Sequence, residues 1–220
     1  MTVITFSRQA FSGGDEIAQR VCEQLGYRFF DKEMMVEAAA RTGLQESEVV
    51  DFSEATYKVQ DFISRLLQAR PRHVKDILIR EEQHGPIATL TAHELNEEDC
   101  VSLVCYTVER VHQEGNIVIV GRGGQAILRG RPGVLHVRVF APLPVRIQRA
   151  REQGMTGISH IKAVLHSKDR ASAEYLKRFH GIQWADPELY HLLINTGQLD
   201  FGTAVEVIVS AARAMEAAPV

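Results

Sequence analysis

Five short apolar runs, separated by turn residues and by segments of helical periodicity, restrict the folds open to this 220-residue chain. The runs occupy 3–7, 27–30, 116–120, 135–140 and 191–195. The run at 116–120 reads Asn-Ile-Val-Ile-Val, which is typical of a strand buried on both faces. Strands that alternate with helices predict an α/β fold, with a mostly parallel sheet covered by helices on both sides.

A glycine-containing loop joins the first predicted strand to the first predicted helix. It contains Ser12, Gly13 and Gly14, and the helix then opens with Asp15 and Glu16. Free backbone N–H groups at a helix N-terminus favour anions. A loop between a strand and a helix N-terminus therefore has the position that a phosphate-binding loop occupies. It departs from G-x-x-x-x-G-K-[ST], because Asp15 stands at the lysine position and Glu16 at the hydroxyl position. A tight turn followed by two favourable first-turn acids is the alternative interpretation.

A second glycine cluster follows the buried strand. Residues 121–126 read Gly-Arg-Gly-Gly-Gln-Ala and formally fit the G-x-G-x-x-A fingerprint of dinucleotide-binding folds. An NADP-binding oxidoreductase is therefore a further alternative. The fingerprint also needs an acidic residue about 20 positions further on, at the end of the next strand, and residues 141–145 supply none.

The formal net charge of −3 conceals two oppositely charged regions. Residues 45–114 contain 7 Lys/Arg and 14 Asp/Glu, whereas residues 131–180 contain 10 Lys/Arg and 3 Asp/Glu. The basic region could attract an anionic substrate, and a solvated helix face is the alternative for each region.

Composition and run length argue against several classes of protein. No apolar run approaches the roughly 18 residues of a membrane span, and the first residues lack the apolar length of a signal peptide. The cysteines, Cys22, Cys100 and Cys105, have no C-x-x-C spacing, and none of the nine histidines forms H-E-x-x-H. We expect a cytoplasmic protein with reduced thiols and no metal-ligating set, which binds neither a membrane nor a nucleic acid.

Several segments, taken in order, resemble the cytidylate kinase-like family, a branch of the P-loop nucleoside monophosphate kinases. They are Ile-Thr-Phe-Ser-Arg-Gln at 4–9 with Ser12-Gly13-Gly14, Leu-Gly-Tyr-Arg-Phe-Phe-Asp-Lys at 25–32, Val-Gly-Arg-Gly at 120–123, Asp169-Arg170, and 190–196. The resemblance implies one P-loop kinase-like domain over 1–220, a three-layer fold with about five parallel strands. Its core would be 1–44 and 115–220, with a helical acceptor-binding insert at 45–114 and a lid-like region at about 153–180.

The resemblance also implies roles for individual residues. ATP would be bound by Arg8, Ser12, Gly13, Gly14, Asp15 and Glu16 at its phosphates, and by Asn195 and Thr196 beside its base and ribose. The phosphoryl acceptor would be bound by Asp31, Lys32 and Arg122. The catalytic cations would be Arg122, Arg146, Arg149 and Arg170, the last in the lid, because phosphoryl transfer depends on positioning and on neutralising charge. A surface or salt-bridging role stays open for each of these arginines.

The implied activity is transfer of the ATP γ-phosphate to CMP or a similar acceptor, with ATP and Mg²⁺ as cofactors and nucleotides as small-molecule partners. The oligomeric state stays open. Asp15, Glu16 and Gly123 depart from the family pattern at catalytic positions. A nucleotide-binding sensor or interaction module is therefore a second hypothesis, with the acidic insert as its partner surface. For an active kinase, Arg8 or Lys32 are our candidates to supply the charge of the missing lysine.

Overall fold

The computed structural model describes residues 1–30, 75–82, 85–92 and 97–217. Within them the strands are β1 Val3–Arg8, β2 Arg28–Phe30, β3 Lys75–Glu82, β4 Gly85–Ala92, β5 Ile117–Val120, β6 Val134–Phe140 and β7 Leu192–Asn195. The helices are α1 Gly14–Leu25, α2 Glu97–Glu114, α3 Gly124–Ile127, α4 Leu143–Glu152, α5 Ile158–His180 and α6 Phe201–Ala217, and a 3₁₀ turn covers Pro187–Leu189. None of these helices combines the length and apolarity needed to cross a membrane.

Five of the strands form one parallel sheet in the order β2-β5-β1-β6-β7. β1 is central, because Phe6 is paired with Val120 of β5 on one side and with Val137 of β6 on the other. The parallel sheet predicted from the alternating runs is confirmed. All five carboxyl ends meet at one edge of the sheet, which is where ligands bind in open α/β sheets.

Helices cover both faces of this sheet. Successive side chains of a strand point to opposite sides, so β1 directs Phe6 to one face and Val3 to the other. The first face packs against Ile17 of α1 and Ile208 of α6, and the second packs against Val108 of α2. The predicted three-layer fold is therefore confirmed.

The helical prediction for the insert at 45–114 is wrong for part of its length. β3 and β4 pair as an antiparallel hairpin over Lys75–Glu82 and Gly85–Ala92. β-branched residues recur at 77, 79, 87, 89 and 91, which favours extended backbone, and only two residues separate the strands. The end of the insert is helical, as predicted, in α2. Residues 45–74 lie outside the described residues.

A buried polar cluster joins β6 to the segment before β7. Trp184 is 6% exposed, and its Nε1 donates to Ser7 Oγ at 2.7 Å. The Tyr190 hydroxyl donates to the Trp184 carbonyl at 2.8 Å. The Arg138 guanidinium also donates to that carbonyl and lies 4.3 Å from the centre of the Trp184 ring. Hydrogen bonds and cation–π contact thus stabilise a buried arginine.

A second buried polar group is His136 in β6, which is 4% exposed. Its Nδ1 lies 2.7 Å from Thr5 Oγ1, and its ring stacks on His191 with 5.2 Å between the centroids. Burial, with the neighbouring His191 charge as the second cause, lowers the pKa of His136 to about 4 from 6.5. A hydrogen bond to the Leu128 backbone opposes this shift without cancelling it.

We expect the free energy of unfolding to fall as the pH is lowered from about 6.5 toward 4. The unfolded chain takes up a proton at this histidine near pH 6.5, whereas the folded chain does so only near pH 4. The unfolded state therefore binds more protons in this window, and acid favours it. The expected loss from His136 is about 2 kcal/mol between pH 7 and pH 5, measured by urea unfolding.

The control replaces both members of the hydrogen bond, as Thr5→Val with His136→Phe, so that no buried polar partner is left alone. Burial also lowers the pKa of His180, so this variant should keep a part of the acid sensitivity. An acid-induced loss as large in the double variant as in the wild type would contradict the assignment to His136.

Candidate functional site

The glycine loop spans residues 9–13, between β1 and α1 at the carboxyl edge of the sheet. Phe11 and Gly13 have left-handed φ values of 59° and 84°, and the Ser12 amide donates to the Gln9 carbonyl at 3.2 Å. No side chain among the described residues caps the N-terminus of α1. The first N–H groups of this helix are therefore available to an anion.

Gly13 at the end of the loop and Gly14 at the start of α1 are both needed, because neighbouring atoms occupy the space that a Cβ would take. A Cβ on Gly13 would lie 2.1 Å from the ring of Phe201, the first residue of α6. A Cβ on Gly14 would lie 2.5 Å from Arg8 Cβ and 3.2 Å from Val139 Cβ. The loop is thus held against β1, β6 and α6, and this leaves no space for larger residues.

An ion pair fixes the loop to α4 and α5. Asp169 of α5 accepts a hydrogen bond from the Ala10 amide at 2.9 Å through Oδ1, and one from Arg146 at 2.6 Å through Oδ2. The side chains of Arg146 and Asp169 are only 9% and 18% exposed. Arg146, which we predicted as catalytic, therefore lies at the loop and pairs with a carboxylate there.

Arg149, one turn further along α4, joins the loop to the end of β7. Its guanidinium donates to the Ser12 carbonyl at 2.9 Å, to Thr196 Oγ1 at 2.9 Å and to the Thr196 carbonyl at 2.8 Å. Burial lowers the pKa of Arg149, and the nearby carboxylates of Glu152 and Glu16 oppose that shift. The guanidinium also lies 4.8 Å from the centre of the Phe201 ring. Arg149 and Thr196, both predicted site residues, therefore contact the loop directly.

A cleft of about 350 Å³ opens beside the loop, within the usual size range of ligand pockets. Its walls are the glycine loop, the first turn of α1 and a part of α5 that includes Lys168 and Ser172. Asp15 faces this cleft but is paired with Arg8, whose Nε donates to it at 2.8 Å. The Glu16 carboxylate is likewise paired with Arg20, one turn along α1.

The residues present fit a bound polyphosphate. Besides the uncapped helix N-terminus, Ser12 is fully buried, and its hydroxyl has no hydrogen-bond partner within the part of the chain that the structure describes. Backbone N–H groups and the hydroxyl are hydrogen-bond donors suited to phosphate oxygens. Over the same ranges, no group of three or more His, Cys, Asp or Glu residues is arranged to hold a metal ion.

Arg122, Arg170 and Asn195, which we also predicted as site residues, do not line the cleft. Arg170 is 67% exposed and donates to Glu174 at 2.6 Å on the same helix, so the structure does not bring it to the loop. Asn195 ends β7, and its Oδ1 accepts from the Gly197 amide at 3.0 Å, which makes a strand-end turn. Arg122 follows β5 with a φ of 60°, at the same edge of the sheet. Asp31 and Lys32 lie outside the described residues.

Our sequence reasoning gave no site role to Lys168, Asp169 or Phe201, which the structure places at the loop. Helical spacing could have identified Lys168. The buried residues Ile161 and Leu165 and the lysine follow the i, i+4, i+7 pattern that lies on one helix face. Arg170 is about half a turn away from that face, because successive residues rotate by about 100°. Phe201 gives no such local signal.

The second glycine cluster lacks the element that its fingerprint requires. A dinucleotide site uses the N-terminus of a full helix, whereas α3 covers only Gly124–Ile127. Gly123 lies against α5 instead, since a Cβ on it would be 2.8 Å from His180 Nε2. The geometry gives no support to NADP binding at residues 121–126.

One known family resembles this chain in sequence over most of its length. Residues 3–198 match the cytidylate kinase-like family. A stretch of 66 residues, 30% of this chain, is 32% identical to the cytidylate kinase of Methanothermobacter thermautotrophicus and covers 41% of that protein. The chain spans less than half the length of the curated relatives it matches.

Solved structures resemble it in fold. An uncharacterized protein from Eubacterium ventriosum has a TM-score of 0.66 at 16% identity, with 97% of this chain and 99% of that chain covered. The shikimate kinase of Bacteroides thetaiotaomicron has a TM-score of 0.51 at 12% identity, with 96% and 98% covered. At these identities the likeness concerns the fold alone, which is the P-loop kinase fold. Together with the family match over 3–198, the order of strands, glycine loop and helices shows that the chain belongs to the cytidylate kinase-like family.

Proposed function

We propose that the protein is a phosphotransferase that moves the γ-phosphoryl group of ATP to CMP or a similar nucleoside monophosphate. The observation that carries the proposal is the glycine loop with its uncapped helix N-terminus, which lies beside a cleft of about 350 Å³ in a chain of this family. Such a loop binds phosphate through backbone N–H groups, with no need for a particular side chain.

The residues of the site divide into two groups in this proposal. Amides from 12–16 hold the phosphates. Three hydrogen bonds to loop carbonyls keep the loop in place: Arg146 donates to Ala10 at 3.4 Å, and Arg149 and the Thr196 hydroxyl donate to Ser12 at 2.9 Å and 2.6 Å. Arg122, beyond the end of β5, binds the acceptor in this proposal. Asp31 and Lys32, which lie outside the described residues, keep the acceptor-binding role that the family resemblance implies. Bound ATP would supply the phosphoryl group, and Mg²⁺ would be held mainly by phosphate oxygens and water, since Asp15 and Glu16 are each paired with arginine.

The proposal is tested by calorimetry with ATP, with and without Mg²⁺, followed by a coupled assay of ADP release with CMP and with other nucleoside monophosphates. We expect ATP binding and an ADP release that depends on the added monophosphate. ADP release at the same rate without any acceptor would contradict a monophosphate kinase. Absence of nucleotide binding would contradict the proposal altogether.

A variant of Arg122 tests the acceptor side separately. Arg122→Gln should lower kcat/KM for the monophosphate at least about tenfold, because a charge-assisted contact to its phosphate is lost, while ATP binding is unchanged. Arg129→Gln, which changes an exposed arginine nearby, is the matched control and should have no effect. Equal loss of ATP affinity in Arg122→Gln would place this arginine at the ATP phosphates instead.

The Arg8–Asp15 pair favours a second candidate function. A carboxylate at the lysine position neutralises the nearest arginine and leaves no net positive charge for the γ-phosphate at that point. A nucleotide-binding sensor needs affinity without transfer, so it tolerates this arrangement. Tight ATP binding with no ADP release above background, for every monophosphate tried, would select the sensor over the kinase.

A further inference from the structure

The charges around the cleft are paired in a way that singles out one lysine. Arg8 is paired with Asp15, Glu16 with Arg20, and Asp169 with Arg146. Lys168 lines the same cleft and makes no ion pair within residues 1–30, 75–82, 85–92 and 97–217. Its charge is therefore not neutralised by any carboxylate that the structure describes.

The side chain of Lys168 lies over the glycine loop. Its Nζ is 5.6 Å from the centre of the Phe11 ring, within the range of a cation–π contact. Phe11 is a loop residue with a left-handed φ of 59°, a conformation that a residue other than glycine seldom adopts. The loop thus presents an aromatic face to the ammonium group, which orients it at the loop.

The adjacent residue fixes the backbone from which this lysine projects. Asp169 holds α5 to the loop through the Ala10 amide and through Arg146, at 2.9 Å and 2.6 Å. Lys168 itself is exposed and lines the cleft, so its side chain is open to a ligand there. The anchor and the lysine are consecutive in sequence, so the contacts of Asp169 also hold the Lys168 backbone near the loop.

We propose that Lys168 supplies, from across the cleft, the positive charge that a P-loop lysine supplies from the first turn of the helix. The inference rests on the proposed binding of a polyphosphate at the glycine loop. Lysine binds phosphate as a point charge and needs no fixed angle, so the same neutralisation is available from a different direction. The Arg8–Asp15 pair then leaves the first turn of α1 neutral, and Lys168 carries the attraction for the β- and γ-phosphates.

The experiment measures binding of inorganic tripolyphosphate, ATP and adenosine to the wild-type protein and to Lys168→Met, by calorimetry over a range of salt concentrations. The variant should bind tripolyphosphate and ATP at least about tenfold more weakly, with a shallower dependence on salt, because one charged contact is lost. Adenosine has no phosphate, so its affinity should be the same in both proteins. Lys168→Arg should restore most of the phosphate affinity.

Lys162→Met, a change of an exposed lysine on the same helix that does not line the cleft, is the matched control and should alter phosphate binding less than twofold. If the wild type binds tripolyphosphate and ATP and Lys168→Met binds them equally well, the role of Lys168 is wrong while the proposed function stands. If the wild type binds neither, the proposed function and this inference are both wrong.

Discussion

Asp169→Asn is expected to lower the free energy of unfolding by about 3 kcal/mol. The substitution keeps the size of the side chain but removes the charge that Arg146 faces at 2.6 Å. Arg146 is 8% exposed, so its guanidinium would be left inside the protein without a carboxylate. The Ala10 amide would also have a weaker acceptor. Urea unfolding measures the change in stability, and ATP calorimetry measures the accompanying change in the loop.

The matched control is Glu174→Gln, five residues further along α5. Glu174 also pairs with an arginine at 2.6 Å, but Arg170 and Glu174 are 67% and 36% exposed. Solvent screening makes such a pair worth little, so the control should change stability by less than about 1 kcal/mol. Equal losses of stability in the two variants would contradict the prediction that the buried Arg146–Asp169 pair stabilises the protein more than the exposed Arg170–Glu174 pair.

Gly14→Ala is expected to destabilise the protein by about 3 kcal/mol and to weaken ATP binding. Helix propensity alone favours alanine over glycine by about 1 kcal/mol, so the sign depends on the surroundings. The added Cβ would lie 2.5 Å from Arg8 Cβ, in the central strand, and 3.2 Å from Val139 Cβ. Neither atom is at the end of a flexible side chain, so α1 would have to move away from the sheet and carry the loop with it.

Gly202→Ala is the matched control for this change. Gly202 also lies in the first turn of a helix, α6, and is exposed. The nearest atom to its added Cβ is Asp200 Oδ1 at 3.1 Å, which accepts from the Thr203 amide at 3.0 Å and needs to move by only a few tenths of an ångström. We expect a change of less than about 1 kcal/mol, by urea unfolding. A Gly14→Ala protein as stable as the wild type would contradict the close contact between α1 and β1.

The sheet and most of its helices could be predicted because they depend on local patterns. The unbroken apolar run at 116–120 indicates a strand, and the helical periodicity in 201–217 indicates a helix, each from a short stretch of sequence. The alternation of strands with helices then implies a parallel sheet. The hairpin at 75–92 was mistaken for helix, because short apolar stretches with charged neighbours fit both periods. The β-branched residues at alternate positions favour the extended form, and hydrogen bonds between the two strands then stabilise it.

The candidate site was predictable in its position and much less so in its contacts. Glycines after the first strand, and threonine after the last, mark the carboxyl edge of the sheet by their order alone. The partners of Arg146 and Arg149 come from segments far apart in sequence, Asp169 and Thr196 among them. Whether these arginines also contact the transferred phosphoryl group stays a prediction.

The sequence alone therefore determined the α/β sheet, the place of the glycine loop and the substitution of Asp15 for the expected lysine. Only the tertiary structure decided which charges remain for a ligand. It pairs Asp15 with Arg8 and directs Arg170 away from the cleft, while Lys168 of the same helix faces the loop. The physical reason is that the interaction of a charge depends on the distance between side chains, and packing of α5 against the loop sets that distance for Lys168 and Phe11, which are more than a hundred positions apart in sequence.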